Sequence, residues 1–325
     1  MKNTRFFSLN GRNLFHLILT LILLVQTPFY SSGSTSNSGE QSVIGRWDLT
    51  VQMGDQSVPS WLEVKLSGLK TLVGYFVAEA GSARPISKVN VQGGKISFSI
   101  PPQWDNSDMD MVFEGFLEND KLKGVITSSS GIKYNFVGER APLLTRNSSP
   151  EWGKPIVMFN GKNLDGWHSQ KSNNQWVVEN GILRSPKPGT NLITNQKFDD
   201  FKLHIEFRYP AEGNTGIYLR GRYEVQVEDS KGKEPASIYL GGVFGFLTPN
   251  ENVAKSPEEW QTYDIILIGR RVTIVANGKS IICDQIIPGI TGGAIDSKEG
   301  EPGPIMLQGD HKPADFRNIT ITPAK

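Results

Sequence analysis

The chain has 325 residues, with 34 Lys and Arg against 33 Asp and Glu, and its formal net charge is +1. This length has room for two domains, and the near-neutral charge argues against a nucleic-acid or anionic-membrane partner. The single cysteine, Cys283, excludes intrachain disulfides and cysteine-based zinc sites.

Residues 1–30 have the three-part pattern of a secretory signal peptide: basic residues, an apolar run over 14–25, and small residues from Ser31. The apolar run is short for a membrane span, so an uncleaved anchor is the less favoured alternative. No cysteine follows the run, which excludes a lipid-modified N-terminus. The mature protein, with three basic residues fewer, is therefore expected to be secreted or periplasmic, without stable membrane insertion.

Residues 31–42 are rich in serine and predict a flexible spacer. Between residues 43 and 140, about eight short alternating segments are separated by Gly, Asp and Asn turns, which indicates strands joined by hairpins. We expect an up-and-down meander that closes into a small barrel, because closure removes exposed strand edges. This segment shows no cluster of catalytic groups, so a structural or accessory carbohydrate-binding role is expected.

Residues 141–155 carry three prolines and predict an interdomain linker. The remainder, 156–325, again consists of alternating segments, with hairpin signals at Asn180-Gly181 and Asn277-Gly278. Two packed antiparallel sheets, a jelly-roll sandwich, would bury these strands. The sequence therefore predicts an all-β protein, in which a small β-barrel-like domain precedes a C-terminal jelly roll.

Two strands within Gly213–Ser230 have one apolar and one polar face. A two-residue loop at Gly221-Arg222 would split their aliphatic residues between the two faces. A three-residue connection, or a bulge at Gly221, puts all the aliphatics on one face. The opposite face then carries large hydrogen-bonding groups that suit sugar hydroxyls: Tyr218, Arg220, Glu224 and Gln226. A half-buried pair with solvated polar groups is the alternative.

Other strands of this domain also carry large polar groups. If they line one concave sheet, seven side chains converge: Glu206, Arg208, Arg220, Glu224, Gln226, Gln308 and His311. Together they supply an acid, a base and oriented donors, although a salt-bridge lattice on a solvated face explains them equally well. His311, in a loop after an apolar strand, is the best acid–base candidate. Trp260 could stack on a pyranose ring or simply pack at a rim.

Metal motifs are missing from the sequence, which has no HExxH, no paired-histidine spacing and no acidic calcium loop, so neither a metal nor another cofactor is predicted. Glu224 and Glu228 allow a second interpretation. Their Cα atoms lie about 13 Å apart by strand rise, and long side chains could approach the roughly 5–5.5 Å of a retaining glycosidase. The stretch resembles the jelly-roll β-glucanase signature, with Gln226 in place of its central Asp.

Several longer motifs point to one family: GNTGIYLRGRYEVQVEDS, EEWQTYDIILIGRRVTIVANGK, GGAID and GPIMLQGDHKPADFRNITITP. Across Ile156–Pro323 the chain resembles the 3-keto-disaccharide hydrolase family. The first domain resembles a small β domain that precedes it in some secreted bacterial members. The resemblance implies a concanavalin A-like jelly roll that acts on sugars already oxidised at C3.

Such a substrate has an acidic C2–H, because the carbanion delocalises into the C3 ketone. A base removes that proton, the C1 oxygen departs by elimination, and water adds afterwards. The resemblance implies Arg220 at the enolate oxygen, with Glu224 and His311 as base and acid in either order. Substrate-binding residues are expected at Glu206, Tyr218, Gln226, Asp229, Trp260 and Gln308. A retaining β-glucanase and a non-catalytic carbohydrate-binding protein are the alternatives.

Overall fold

The structure, a computed structural model, describes residues 43–104, 106–146 and 148–325. The predicted signal peptide and serine-rich spacer lie outside these residues, and export stays a prediction. The described chain folds as strands, turns and loops, and it contains no helix long and apolar enough to cross a bilayer.

The first eight strands form a closed barrel in which each strand pairs with the next and the last pairs with the first. Their bounds are β1 (Gly45–Met53), β2 (Gln56–Ser67), β3 (Thr71–Val77), β4 (Arg84–Gln92), β5 (Lys95–Ile100), β6 (Met111–Glu118), β7 (Lys121–Thr127) and β8 (Lys133–Arg140). Closure is visible in the antiparallel register of Trp47 with Arg140. The predicted eight-stranded barrel is confirmed. Its alternating residues supply an apolar interior, in which Phe98 stacks on Phe113 with ring centroids 4.6 Å apart.

The remaining strands form a jelly-roll sandwich. They are β9 (Ile156–Val157), β10 (Trp167–Ser169), β11 (Val177–Glu179), β12 (Ile182–Ser185), β13 (Leu192–Phe198), β14 (Phe201–Arg208), β15 (Asn214–Leu219), β16 (Tyr223–Glu228), β17 (Gln261–Ile268), β18 (Arg271–Ala276), β19 (Lys279–Ile286), β20 (Gly303–Leu307) and β21 (Ala314–Pro323). One sheet has five strands in the order β10-β13-β20-β15-β16. The other has the order β11-β12-β21-β14-β17-β18-β19, with β9 beside β21. The all-β architecture is confirmed, whereas the exact domain boundaries stay a prediction.

The register of β15 and β16 matches the expected three-residue connection. Leu219 lies opposite Tyr223, which leaves residues 220–222 as the turn, and Gly221 has the positive φ of +68° that this turn needs. As a result, all four aliphatic residues of the pair face the core between the sheets: Ile217, Leu219, Val225 and Val227. Tyr218 and Glu224 lie opposite each other on the outer face.

The barrel packs against the sandwich through buried side chains. Trp61 and Val77, both on barrel strands, are fully buried and belong to the sandwich core. The Trp61 ring meets Phe246 edge-on, with centroids 5.3 Å apart. Gly289 makes room for the indole, because a Cβ there would lie 2.1 Å from Trp61 Nε1. Trp61 and Val77 therefore extend the sandwich core, while the rest of the barrel interior forms a separate apolar cluster.

A buried polar cluster also joins the barrel to the sandwich. Asp48 on β1 is hydrogen-bonded to Glu299, and the Arg270 guanidinium donates to the same glutamate. Burial, and secondarily the negative charge of Glu299, raise the pKa of Asp48 to about 9, although Arg270 and Arg222 act in the opposite direction. Asp48 is therefore protonated in the folded protein at neutral pH.

This proton makes stability depend on pH. Between about pH 4 and pH 9, the folded protein keeps a proton on Asp48 that the unfolded chain releases, so the free energy of unfolding falls as pH rises. We expect Asp48→Asn, which cannot ionise, to flatten this fall and to raise the melting temperature more at pH 8 than at pH 5. Thermal unfolding across that range measures the effect.

Asp55→Asn, in the exposed turn after β1, is the matched control and should leave the pH dependence of wild type unchanged. Parallel pH profiles for wild type and Asp48→Asn would contradict the role given to Asp48.

Candidate active site

The outer face of the five-stranded sheet carries an ordered set of polar side chains near the barrel. Tyr218 lies across from Glu224 on one side and from Met306 on the other. Ile295, from the loop before β20, packs over Tyr218 and Met306 and covers this part of the face. Glu224 consequently keeps only 4% of its surface exposed.

The Glu224 carboxyl is held by Tyr218. The phenol Oη lies 2.9 Å from Glu224 Oε2 and 3.0 Å from the carbonyl oxygen of Gly292. One phenolic proton cannot serve both acceptors fully. When Glu224 is protonated, its own O–H can donate to the phenol oxygen while the phenol donates to Gly292, and all three groups are satisfied. In either protonation state, Tyr218 links Glu224 to the loop that carries Gly292.

Gly216 provides the space that the Glu224 side chain occupies. A Cβ at this position would lie 2.2 Å from Glu224 Oε1, so the carboxyl rests directly on the backbone of the neighbouring strand. Glycine in a strand interior weakens the strand and commonly marks such a close approach. The backbone N–H of Glu224 is also fixed, because it donates to the Thr291 hydroxyl at 3.0 Å.

Burial raises the pKa of Glu224 to about 8. The Tyr218 hydrogen bond and the positive charge of His311 lower this pKa, and the negative charge of Asp310 raises it, but burial outweighs them. A carboxylate with this pKa is a much stronger base than one in water, and it titrates near the pH at which enzymes work. Such a shift is typical of functional carboxyl groups.

His311 forms the accessible edge of the group. Its Nδ1 lies 2.6 Å from Asp310 Oδ1, and this hydrogen bond is the main cause that raises the pKa of His311. The negative charges of Glu224 and Glu228 raise the pKa of His311 further. About half of the His311 side chain is exposed, so a ligand can reach it from solvent. The site therefore pairs a buried carboxyl with an exposed imidazolium.

Two carboxamides lie beside these groups. Gln226 on β16 is opposite Gly216, and Gln308 follows β20, where its backbone N–H donates to the Gly216 carbonyl. The Gln308 side chain is 8% exposed, and its Oε1 has no hydrogen-bond partner among the described residues. Asp229, which was expected to bind substrate, makes a hydrogen bond to the backbone: its Oδ2 accepts from the Glu212 N–H at 3.0 Å. The carboxamides are suited to sugar hydroxyls.

Arg220, expected beside Glu224, lies elsewhere. Its φ of +52° places it in the left-handed region, so its side chain leaves the alternation of β15. The buried guanidinium donates to Tyr223 Oη at 3.1 Å and to the Gly269 carbonyl at 2.9 Å, and Tyr223 belongs to the core. The expectation that Arg220 meets the enolate oxygen is therefore wrong, and this arginine ties the turn to the sandwich interior.

Glu206, Arg208 and Trp260 lie on the opposite outer face of the molecule. Glu206 alternates with core residues of β14, in the other sheet, and accepts from Arg317 at 2.7 Å. Trp260 lies between two guanidinium groups, 3.9 Å from that of Arg317 and 4.9 Å from that of Arg208. The predicted convergence of these residues with Glu224 is wrong, because the two sheets turn these faces away from each other.

Three contributors to the site were not predicted from the sequence: Gly216, the Asp310 carboxylate, and the loop Thr291–Gly293. The glycine within an otherwise regular strand is the signal that could have identified the first. The loop carries the start of the GGAID motif, but that motif does not reveal its contact with Tyr218, which depends on long-range folding. Among the described residues, no group of three or more His, Cys, Asp or Glu side chains is placed to hold a metal ion.

The pKa of Glu224 provides a direct check of this geometry. Tyr218→Phe removes the hydrogen bond that favours the ionised carboxylate, so we expect the pKa of Glu224 to rise above about 8. The carboxyl carbon-13 shift of Glu224, followed by NMR between pH 5 and 10, measures it. Tyr223→Phe is the matched control, because its hydroxyl donates to Glu299, and it should leave the Glu224 titration unchanged. An unchanged or lowered pKa in Tyr218→Phe would contradict the assignment.

Comparison with known proteins adds independent information. Residues 154–322, just over half of the chain, match the family model described as the 3-keto-alpha-glucoside-1,2-lyase-like domain. A 3-keto-disaccharide hydrolase of Bacteroides thetaiotaomicron is 26% identical over 110 residues, which cover 30% of this chain and 38% of that relative. The matched region thus spans well under half of the relative's length.

Solved structures of similar proteins include candidate glycosyl hydrolases of Parabacteroides distasonis. One is 31% identical, with a TM-score of 0.45, and the match covers 55% of this chain and 92% of the other. Another is 23% identical, with a TM-score of 0.42, and the match covers 52% and 98%. On the family-model match across its sandwich, the chain belongs to the carbohydrate-active 3-keto-alpha-glucoside-1,2-lyase-like family.

Proposed function

We propose that this protein cleaves 3-keto-glycosides by elimination across C1 and C2 of the oxidised sugar, followed by addition of water. The observation that carries the proposal is the buried Glu224 carboxyl, whose pKa is raised to about 8, beside the His311–Asp310 pair. Elimination next to a ketone needs one strong base and one acid, and these two groups supply them. The family match supports the same substrate class.

In the first step, the ionised Glu224 carboxylate takes the proton from C2. The C2–H electron pair forms the C1–C2 double bond as the C1–O bond breaks, and the His311 imidazolium gives its proton to the departing oxygen. About a tenth of Glu224 is ionised at pH 7 with a pKa near 8, and this share grows as the pH rises. The Asp310 hydrogen bond raises the pKa of His311, which favours the protonated imidazole that this step needs.

In the second step, water adds across the new double bond. Its oxygen joins C1 while the proton that it loses passes to the neutral His311, and C2 regains a proton from Glu224, so both groups return to their starting states. The carboxamides of Gln226 and Gln308 are placed to bind hydroxyls of the sugar ring. We assign the base to Glu224 and the acid to His311 because burial strengthens a carboxylate base, whereas the Asp310 hydrogen bond keeps the imidazole protonated.

A retaining glycosidase using Glu224 and Glu228 is the second enzyme to consider. That mechanism needs one ionised carboxylate as a nucleophile in front of the sugar. Glu224 instead lies over Gly216, and burial raises its pKa to about 8, so the carboxyl is mostly neutral at pH 7. The arrangement therefore favours proton transfer over nucleophilic attack.

The test compares two glutamine variants on a 3-keto-glucoside. We expect Glu224→Gln to lower kcat by about 10²- to 10⁴-fold, the usual contribution of a general base, while substrate still binds. Glu228→Gln, the matched control on the same strand, should stay within about tenfold of wild type, because Glu228 influences His311 only through its charge.

Two results would overturn the proposal. In the first, wild type hydrolyses a plain β-glucan but not the 3-keto-glucoside, and both glutamine variants lose that hydrolysis. This result would indicate the retaining mechanism. In the second, wild type binds the sugar tightly without turning it over, and Glu224→Gln binds it equally well. This result would indicate a carbohydrate-binding protein.

A further inference from the structure

The barrel has a cavity at its mouth, separate from the group around Glu224. Its volume is about 280 Å³, and it opens between the ends of the barrel strands. Strands β1, β2, β3, β6 and β8 contribute to its wall, and so do the segments after β3 and β5. Small eight-stranded barrels are often just wide enough to hold one small ligand.

The lining of this cavity is mainly apolar and includes aromatic and sulfur-bearing side chains. Phe76, Trp104 and Tyr134 contribute rings, and Met53 and Met111 contribute flexible thioethers. An apolar cavity of about 150 Å³ is already large enough for benzene, so the cavity at the barrel mouth accommodates one or two fused rings. Rings and thioethers both interact favourably with an aromatic guest.

The rim is organised for an occupant of this kind. Trp104 is 73% exposed, which is unusual for so large an apolar ring and places it at the entrance. Gln103 Nε2 donates to Ser82 Oγ at 2.9 Å, and Arg84 donates to the Pro101 carbonyl at 2.9 Å. These bonds fix the segments that carry the entrance while leaving the indole face open.

One wall of the cavity also contacts the candidate active site. Glu79, Ala80 and Ser82 line the cavity, and the Glu79 carbonyl accepts from the Gly293 N–H at 2.8 Å. A Cβ on Gly292 would lie 2.3 Å from the Gly81 carbonyl oxygen, so the two loops are in direct backbone contact. The Gly292 carbonyl in turn accepts from Tyr218. The cavity therefore lies behind the loops that hold the Tyr218–Glu224 pair.

We propose that the barrel mouth is a second binding site, for a neutral aromatic molecule of one or two rings, distinct from the sugar site. The apolar part of the lining favours an uncharged guest, and the two charged lining residues, Glu79 and Arg84, are of opposite sign. This site does not depend on the reaction proposed for Glu224.

Isothermal titration of the full-length protein with 2-naphthol tests the proposal. We expect saturable binding of one molecule per chain. Ala78→Phe fills the cavity, and Trp104→Ala removes the ring at the entrance; each should weaken binding at least tenfold. Because Trp104 is largely exposed, its replacement tests the site without challenging the fold. Ser87→Phe, on the exposed side of β4, adds the same ring outside and should bind like wild type.

Glu224→Gln provides a further control, because binding at the barrel mouth should survive this change in the sandwich. Absence of saturable binding in wild type would overturn the proposal. Equal affinity of wild type and Trp104→Ala for 2-naphthol would also overturn it. A third contrary result is loss of binding in Glu224→Gln with binding retained in Ala78→Phe, which would place 2-naphthol in the sugar site.

Discussion

The burial of one carboxyl group against a tyrosine organises the candidate site. Glu224 can lie under the outer loops only because Gly216 leaves space on the neighbouring strand and Tyr218 offers a hydrogen bond. Both partners are positioned by the register of β15 and β16, which burial of four aliphatic side chains fixes on the core face. Packing of the core therefore determines which side chains of β15 and β16 face the candidate site. A one-residue slip would bury the carboxyl in the sandwich and expose the aliphatics.

The barrel belongs to this arrangement as well. Trp61 and Val77 complete the sandwich core, and the loop after β3 supports the Thr291–Gly293 segment by a backbone hydrogen bond. That segment contacts both members of the pair, through Gly292 to Tyr218 and through Thr291 to Glu224. The environment that raises the pKa of Glu224 is thus built partly from the N-terminal half of the described chain.

Alternation along single strands was enough to predict much of the molecule. It identified the closed barrel, the sandwich and the three-residue turn, because each follows from which side of a strand is apolar. It could not tell which sheet a strand joins, and so Glu206 and Trp260 were assigned to the wrong face. It also failed at Arg220, since one residue with positive φ at the strand end redirects its side chain. The role of Asp310 emerged only from its contact with His311.

Proton exchange at C2 of the sugar tests the central claim most directly, because it reports on the Glu224 carboxylate as a base. The protein is incubated with a 3-keto-disaccharide in deuterated water, and the released oxidised sugar is analysed by NMR and mass spectrometry. An enzyme-free incubation of the 3-keto-monosaccharide in deuterated water measures background exchange. The account predicts deuterium at C2 in wild type above that background. Release of the sugar with protium retained at C2, together with an undiminished kcat on a substrate deuterated at C2, would contradict it, because the glycosidic bond would then break without removal of that proton.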